Sequence, residues 1–570
     1  MYKLESFTVP ELIEKGSREY AGRPALAMVG KEAVPYEELE PRSRKIAAFL
    51  GLLGIGRGDR VAILSENRPE WGLAAFGICR TGAIVVPILT DFTSEQIANI
   101  LEHSASAALF VSRRFLTKIQ GQGEKRILIS VEDLEVMAGH ATPSGKALEA
   151  AAAAFAPPSI EGNDLAAIVY TSGTTGLSKG VMLSHRNIVY DAWACRRFIL
   201  LHRRDRFLSI LPLAHTYEFT IGLIIPIMHG SAVYYLDRPP SATALLPALR
   251  AVRPTIMLTV PLVIEKIFYS TIQPKLEAMK AWRTPLLRPL IARLAGAQLL
   301  KSFGGKIRFF GIGGAPLAAD VESFLNTAHF PYSIGYGLTE TAPMLAGNSP
   351  GKVKVHTTGV GATGVEIRIA DPRPDTGEGE IQVRGPNVTR GYYRDPERTK
   401  EIFTADGWFR TGDLGRMDKK GLLTVRGRIK TMILGASGEN IYPEEIEAVL
   451  NSSPYIVESL VYGDEQGLTA LVQVRPEVMA ELGAIVKDGI DEAEEAASRL
   501  GLAVGSAIEH AGESLEHAEK RVTRLLERIR KDANERLAAF SRIRKVELQM
   551  EPFEKTPTQK IKRFLYPKKQ

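Results

Sequence analysis

Short, fully apolar runs of strand length recur along the first part of the chain, separated by segments with helical patterning. Arg60-Val-Ala-Ile-Leu64, Ala83-Ile-Val-Val-Pro87 and Ala107-Ala-Leu-Phe-Val111 are apolar at consecutive rather than alternate positions. A strand with one wet face alternates; a strand covered on both faces does not. Cover on both faces comes from crossover helices, and Lys45-Ile-Ala-Ala-Phe-Leu50 has that character. The pattern therefore specifies βαβ architecture. The alternation resumes with Leu165-Ala-Ala-Ile-Val-Tyr170 and continues to about residue 335. Between these blocks, residues 138–163 are rich in Ala, Pro and Gly and read as a surface connection.

The remaining chain changes character twice. Val355 to Val425 has short strands, many glycines and turns such as Asp375-Thr-Gly377, the pattern of a small β-rich subdomain. After Arg428, Pro443 to Leu450 begins a helix, with Pro and two acids in its first turn. Residues 478–540 are charged and helical, with Val522, Leu525, Leu526 and Ile529 on one stripe that would suit a short coiled coil. The longest apolar run, Phe219 to Leu236, is broken by Pro226, His229, Gly230 and Ser231. It reads as a buried helix followed by a strand, not a membrane span. At 570 residues the chain can hold several cores, and a net charge of +7 is modest for that length. No zinc spacing or RNA-binding motif accompanies the charge, so no nucleic-acid partner is expected. Only Cys79 and Cys195 occur, which excludes a disulfide framework and fits a reducing cytosol. No secretory leader is expected from the first residues.

Chemistry enters where a buried strand ends. Tyr170-Thr-Ser-Gly-Thr-Thr-Gly-Leu-Ser-Lys-Gly180 is built from hydroxyls, glycines and one lysine. Glycine lets the backbone approach a ligand, hydroxyls donate to oxygen, and Lys179 adds a mobile cation. That inventory suits a polyphosphate. It is not the Walker loop: counted from Gly173, the second glycine position holds Ser178, and Lys179 precedes Gly180. The competing reading is a flexible Gly/Ser linker.

Other motifs follow in order. Gly313-Gly-Ala-Pro-Leu317 comes after the apolar run Ile307 to Phe310, and its small residues would let a flat ring lie against the backbone. Tyr336-Gly-Leu-Thr-Glu-Thr341 offers an aromatic face, a hydroxyl and a carboxylate, suited to a base, a phosphate and Mg²⁺. Trp408-Phe-Arg-Thr-Gly-Asp413 puts a carboxylate just after a tight turn, suited to a ribose diol. Gly427-Arg-Ile-Lys430 brings two cations, and Lys560 lies near the end of the chain. Taken singly, Tyr336 is a packing residue, Asp413 a turn or cap, and Lys560 surface charge. Their succession along one chain is the stronger signal.

With these motifs in place, the sequence resembles the adenylate-forming superfamily of acyl-CoA synthetases, luciferases and peptide-synthetase adenylation domains. Within it, the chain is similar to bacterial long-chain fatty-acid–CoA ligases. The resemblance runs from Phe7-Thr-Val-Pro-Glu-Leu12 and Val34-Pro-Tyr-Glu-Glu-Leu39 to Lys562. It implies an α/β protein with two domains. Residues 1–429 would be a large adenylation domain of α/β subdomains plus a small β-rich subdomain. Residues 430–570 would be a small mobile α+β domain with a helical insertion near 485–525. It also implies roles. Thr171, Ser172, Gly173, Thr174, Thr175, Gly176 and Lys179 would hold the β- and γ-phosphates. Gly314, Ala315, Pro316 and Tyr336 would flank adenine, Thr339 would contact the α-phosphate and Glu340 would hold Mg²⁺. Asp413 would bind the ribose and Arg428 the ribose or phosphate. Lys430 would be the hinge, and Lys560 would bridge the acid and the α-phosphate. Ser437, Gly438 and Glu439 would line a coenzyme A channel. His215, in Leu211-Pro-Leu-Ala-His-Thr-Tyr-Glu218, would orient thioester formation or gate the acyl tunnel; a structural histidine is the other reading.

The chain departs from the family pattern at Gln559, where glycine usually precedes the lysine, and at Ile334, where a polar residue often contacts adenine. The implied reaction activates a long-chain fatty acid with ATP and Mg²⁺ and passes the acyl group to coenzyme A. A carrier-protein thiol as acceptor, or an aryl or shorter-chain acid as substrate, are the alternatives. The expected location is the cytoplasm, with peripheral contact at the inner membrane face where a long acyl chain partitions; the basic end of the chain could touch anionic lipid.

Overall fold

The computed structural model describes residues 3–171, 179–434, 440–464, 467–481, 504–555 and 561–566. The chain divides into two compact units, Met1–Arg426 and Gly427–Gln570. The expected α/β class holds: the first unit contains a seven-stranded and a nine-stranded sheet, each mostly parallel, and most of a four-stranded sheet.

The predicted runs are strands Arg60–Leu64, Ile84–Pro87, Ala108–Val111 and Leu165–Thr171, neighbours in the seven-stranded sheet and parallel to one another. Consecutive apolar residues are needed because the sheet is covered twice. Val61, Ile63 and Phe110 point into a core shared with the larger sheet, while Ala62, Leu64 and Leu109 point into a separate core on the other side. Helices Tyr36–Leu52, Pro69–Arg80 and His185–Ala194 contribute to the shared core, where Trp71 is fully buried. The nine-stranded sheet repeats the arrangement: Phe207, Ile256 and Phe309 face the shared core, and Leu208, Met257 and Phe310 face a third. Its strand Pro24–Met28 pairs with Ala232–Tyr235, far along the chain.

Local chemistry fixes the joints. Helix His185–Ala194 starts directly after strand Lys179–Ser184 because Ser184 and Asn187 form a reciprocal cap: Asn187 N–H donates to Ser184 Oγ at 3.1 Å, and Ser184 N–H donates to Asn187 Oδ1 at 2.8 Å. The amide of the same Asn187 donates to the carbonyls of Pro386 and Val388, tying the cap to the β-rich segment.

Three expectations are corrected. Residues 138–163 are not wholly a connection: Gly145–Ala154 is a helix, capped by Ser144 and carried by an alanine run of high helix propensity. The run after Thr216 is buried as expected, but Tyr217–Ile224 winds as a π-helix before the α-helical turn Ile225–His229. Asp413 does not follow a tight turn; it lies within strand Phe409–Met417, with Gly412 at φ +70° producing the local irregularity.

The second unit pairs Ile456–Asp464 with Gly467–Val474 and then Ile543–Leu548. Helix Val504–Arg536 packs Ile529 into this unit's core, with Val522, Leu525 and Leu526 against it. The predicted stripe is thus a core stripe, not a coiled-coil seam. Part of the predicted insertion, residues 485–503, lies outside the described residues.

Candidate active site

The site segments are placed by topology. Strands Arg206–Ser209, Ile256–Thr259, Phe309–Ile312 and Tyr332–Gly337 are consecutive neighbours in the nine-stranded sheet and run parallel, so their carboxyl ends share one edge. The first leads to His215, the third to Gly313–Pro316 and the fourth to Thr339 and Glu340. The edge beyond the carboxyl ends of parallel strands is where α/β sheets bind ligands.

At that edge the backbone is open. Gly314 has φ +87°, and Gly314, Ala315 and Pro316 are exposed. The Tyr217 ring lies close to this strand: a Cβ on Gly313 would sit 3.4 Å from its Cζ, and one on Gly311 3.1 Å from its hydroxyl. Tyr217 N–H donates to Nδ1 of His215 at 3.2 Å, which fixes the ring and puts the proton of neutral His215 on Nε2. His215 and the Gly313–Pro316 backbone are therefore joined through one residue.

Tyr336 and Asp413 also meet. The tyrosine hydroxyl donates to Asp413 Oδ2 at 2.6 Å, a short charge-assisted bond between the larger sheet and the four-stranded sheet. Asp413 is 4% exposed, and its own N–H donates to Thr411 Oγ1. The backbone N–H of Ile334 is taken by Asn348 Oδ1 at 3.1 Å.

A third group forms around Glu340. It sits in the single 3₁₀ turn Thr339–Thr341, and Tyr392 donates its hydroxyl to Glu340 Oε1 at 2.8 Å. The Lys179 ammonium lies over the same tyrosine ring, 5.0 Å from its centre. Lys179 pairs with Thr171 across the mouth of the phosphate-loop candidate. One ring thus spaces a cation from a carboxylate at the end of that hairpin. Magnesium needs few protein oxygens when substrate phosphates supply others. A single carboxylate oriented by a phenol beside a lysine fits that donor set. Among the described residues no cluster of three or more His, Cys, Asp or Glu side chains is placed to hold a metal by protein alone.

The turn carrying Glu340 is anchored from below. Asn387, fully buried, donates to the carbonyls of Thr341 and Met344 and to Asp191 Oδ1. Met344 N–H donates to Asp191 Oδ2 at 3.2 Å. Complete burial pushes the Asp191 carboxyl well above the usual range, against these bonds. Neither Tyr392 nor the Asp191–Asn387 pair was foreseen in the sequence. The tandem tyrosines after Gly391 were a signal for the first; no spacing signals the second.

Ser172, Gly173, Thr174, Thr175, Gly176, Ser437, Gly438, Glu439 and Lys560 lie outside the described residues. Arg428 and Lys430 are exposed at the start of the second unit, with Thr431 and Met432 N–H donating to the Arg428 carbonyl.

Comparison with known proteins gives a consistent picture. Residues 13–393 match the family described as AMP-binding enzyme. The long-chain-fatty-acid–CoA ligase FadD15 of Mycobacterium bovis is 32% identical over 91% of this chain and 88% of its own. A chloroplastic long-chain-fatty-acid–[acyl-carrier-protein] ligase of Arabidopsis thaliana, AEE15, is 28% identical over 81% of this chain and 76% of its own. The solved structure of the anthranilate CoA ligase AuaEII with anthranoyl-AMP superposes with a TM-score of 0.74 over 99% of this chain and 97% of that one; at 20% identity it shows a shared fold.

Proposed function

The chain belongs to the AMP-binding enzyme family, and from that premise we propose that it activates a long-chain fatty acid and delivers it to coenzyme A. The activity is that of an adenylate-forming acyl-CoA ligase, which uses ATP, Mg²⁺ and coenzyme A. Long-chain preference is supported by the relative from Mycobacterium bovis; the apolar side chains from Phe219 to Ile227 belong to the shared core.

The observation that carries the reading is the convergence at one sheet edge of the strand ends leading to His215, Gly314 and Glu340, with the Tyr336–Asp413 bond beside them. In the proposed mechanism a carboxylate oxygen attacks the α-phosphorus of ATP. The bond to the bridging oxygen breaks, and pyrophosphate leaves. Two anions must approach, so positioning and positive charge matter more than covalent help. Lys179 steadies the leaving phosphates. Lys560 bridges the acid and the α-phosphate. Tyr336 and the Gly314–Pro316 backbone flank adenine, Asp413 takes the ribose hydroxyls, and Thr339 contacts the α-phosphate. Glu340 would hold Mg²⁺, which supplies charge neutralisation at the phosphates. Coenzyme A sulfur then attacks the acyl carbon and AMP departs; Ser437, Gly438 and Glu439 would line its channel, and Lys430 would be the hinge between the two half-reactions. His215, its ring fixed by Tyr217, would face the acyl carbon in this second step.

The test is AMP and pyrophosphate release across straight-chain acids of rising length and a set of aryl acids, with and without coenzyme A. Coenzyme A-dependent turnover peaking at long chains is expected. A peak at aryl or short acids overturns the substrate assignment. Pyrophosphate release that coenzyme A does not stimulate moves the acceptor to a carrier-protein thiol.

A further inference from the structure

We propose that the segment from Lys280 to Lys301 is a docking surface for anionic lipid bilayers. Helix Arg288–Ser302 is apolar on two opposite faces. Ile291, Ala292, Gly296 and Leu299 are buried, and the helix sits so close to its neighbour that a Cβ on Gly296 would lie 2.6 Å from the Ala328 carbonyl oxygen. The inner face is thus committed to the core. On the outer face Leu290 is 58% and Leu294 64% exposed, one helical turn apart. Just before the helix, in the 3₁₀ turn Pro285–Leu287, Leu286 is 90% exposed. Single exposed leucines are ordinary; three outward-pointing leucines on one short stretch mark an interaction surface.

The charges around them identify the partner. From Ala278 to Ala319 the sequence has no Asp or Glu, and Lys280, Arg283, Arg288, Arg293 and Lys301 are spread through the same segment. None of these five cations forms an ion pair among the described residues, where the pairs pass from Arg238 to Arg308. Arg288 lies instead over the half-buried Trp282 ring, 5.9 Å from its centre, and donates to the Trp282 carbonyl. Exposed leucines interspersed with Lys, Arg and a half-buried Trp are the composition of an interfacial element, whose apolar tips enter the acyl region while its cations meet headgroup phosphates. A second copy of this chain is disfavoured, because an isologous contact would set this cationic face against itself. A rigid protein partner would need a cavity for each protruding leucine, whereas a fluid acyl layer adapts to them.

The test is co-sedimentation of the full chain with vesicles of equal parts phosphatidylcholine and phosphatidylglycerol, against vesicles of phosphatidylcholine alone. The wild type is expected on the anionic vesicles and to dissociate as salt rises. Leu286→Ser/Leu290→Ser/Leu294→Ser is expected to lower the bound fraction at least about tenfold. Arg283→Glu/Arg293→Glu, which changes only exposed positions, is expected to abolish the preference for anionic vesicles. Both variants should keep the wild-type rate on a water-soluble acid. Three results overturn the proposal: no wild-type binding to anionic vesicles, binding untouched by both variants, or a concentration-dependent dimer lost in the leucine variant. The outcome is separable from the substrate assignment. A protein that docks on vesicles but activates only aryl acids keeps this surface and loses the long-chain reading; one that activates long acids without docking does the reverse.

Discussion

Glu218 shows how much one side chain can be asked to hold. It lies in the π-helix, 1% exposed, with Oε2 lacking a hydrogen-bond partner among the described residues, and Gly222 makes room for it: a Cβ there would sit 2.5 Å from the Glu218 carboxyl carbon. Burial raises its pKa from 4.5 to about 8, partly opposed by Ser209. Burial, with the same carboxyl adding to it, pushes Tyr217 and Tyr235 upward, and both stay protonated across this range. Because the folded value is raised, the stabilising contribution is complete below about pH 4.5 and is lost as pH climbs through about 8. The loss approaches about 1.4 kcal/mol per pH unit in the middle of that window. Glu218→Gln keeps the shape and removes the titration. Its melting temperature is expected to fall less between pH 6 and 9 than that of the wild type. Parallel curves would place the wild-type carboxyl near its ordinary value. Glu447, raised to about 7 in the second unit, titrates in both proteins and cancels from the comparison. None of this is legible in the sequence, where Glu218 is one more acid after a histidine; depth of burial is a property of the packed sheet.

At the scale of an element, the turn after strand Tyr332–Gly337 is the most exacting piece of the site. A Cβ on Gly337 would stand 1.7 Å from the Pro343 carbonyl oxygen, the oxygen that accepts the Leu338 N–H. Thr339 and Glu340 follow directly, so any repair of the clash displaces them. Gly337→Ala is expected to cost on the order of 2–4 kcal/mol in denaturant unfolding and most of kcat/KM. Gly56→Ala, where a Cβ meets nothing within 4 Å, serves as the control and should stay within about 0.5 kcal/mol. An unchanged Gly337→Ala protein would show that the turn relaxes freely. Elements of this kind divide what a sequence reveals. The buried strands were legible because two-sided burial writes an unbroken apolar run. The Asp413 strand was not, since Arg410, Thr411 and Asp413 interrupt any such run and Gly412 mimics a turn. The alanine-rich helix Gly145–Ala154 was hidden by the prolines and glycines on either side of it.

At the scale of the molecule, the chain forms two units with separate cores. If Lys560 serves the first half-reaction only, Lys560→Ala should cut pyrophosphate release by about 10²-fold or more while sparing thioester formation from supplied acyl-adenylate. Equal loss in both steps would remove that division of labour. The order of motifs made the reaction class legible. What binds the motifs together was not legible, because Tyr392 reaches Lys179 and Glu340, and Asn387 reaches Asp191, only once three sheets have met. The same long-range closure sets a timetable for biosynthesis. Strand Pro24–Met28 leaves the ribosome early, yet its neighbour Ala232–Tyr235 follows about 200 residues later. At roughly 5–20 residues per second, that apolar strand waits about 10–40 s for its place. The seven-stranded sheet, encoded wholly between the two, can assemble meanwhile. The nascent amino-terminal strand is therefore an apolar stretch without its parallel partner until residue 235 clears the exit tunnel.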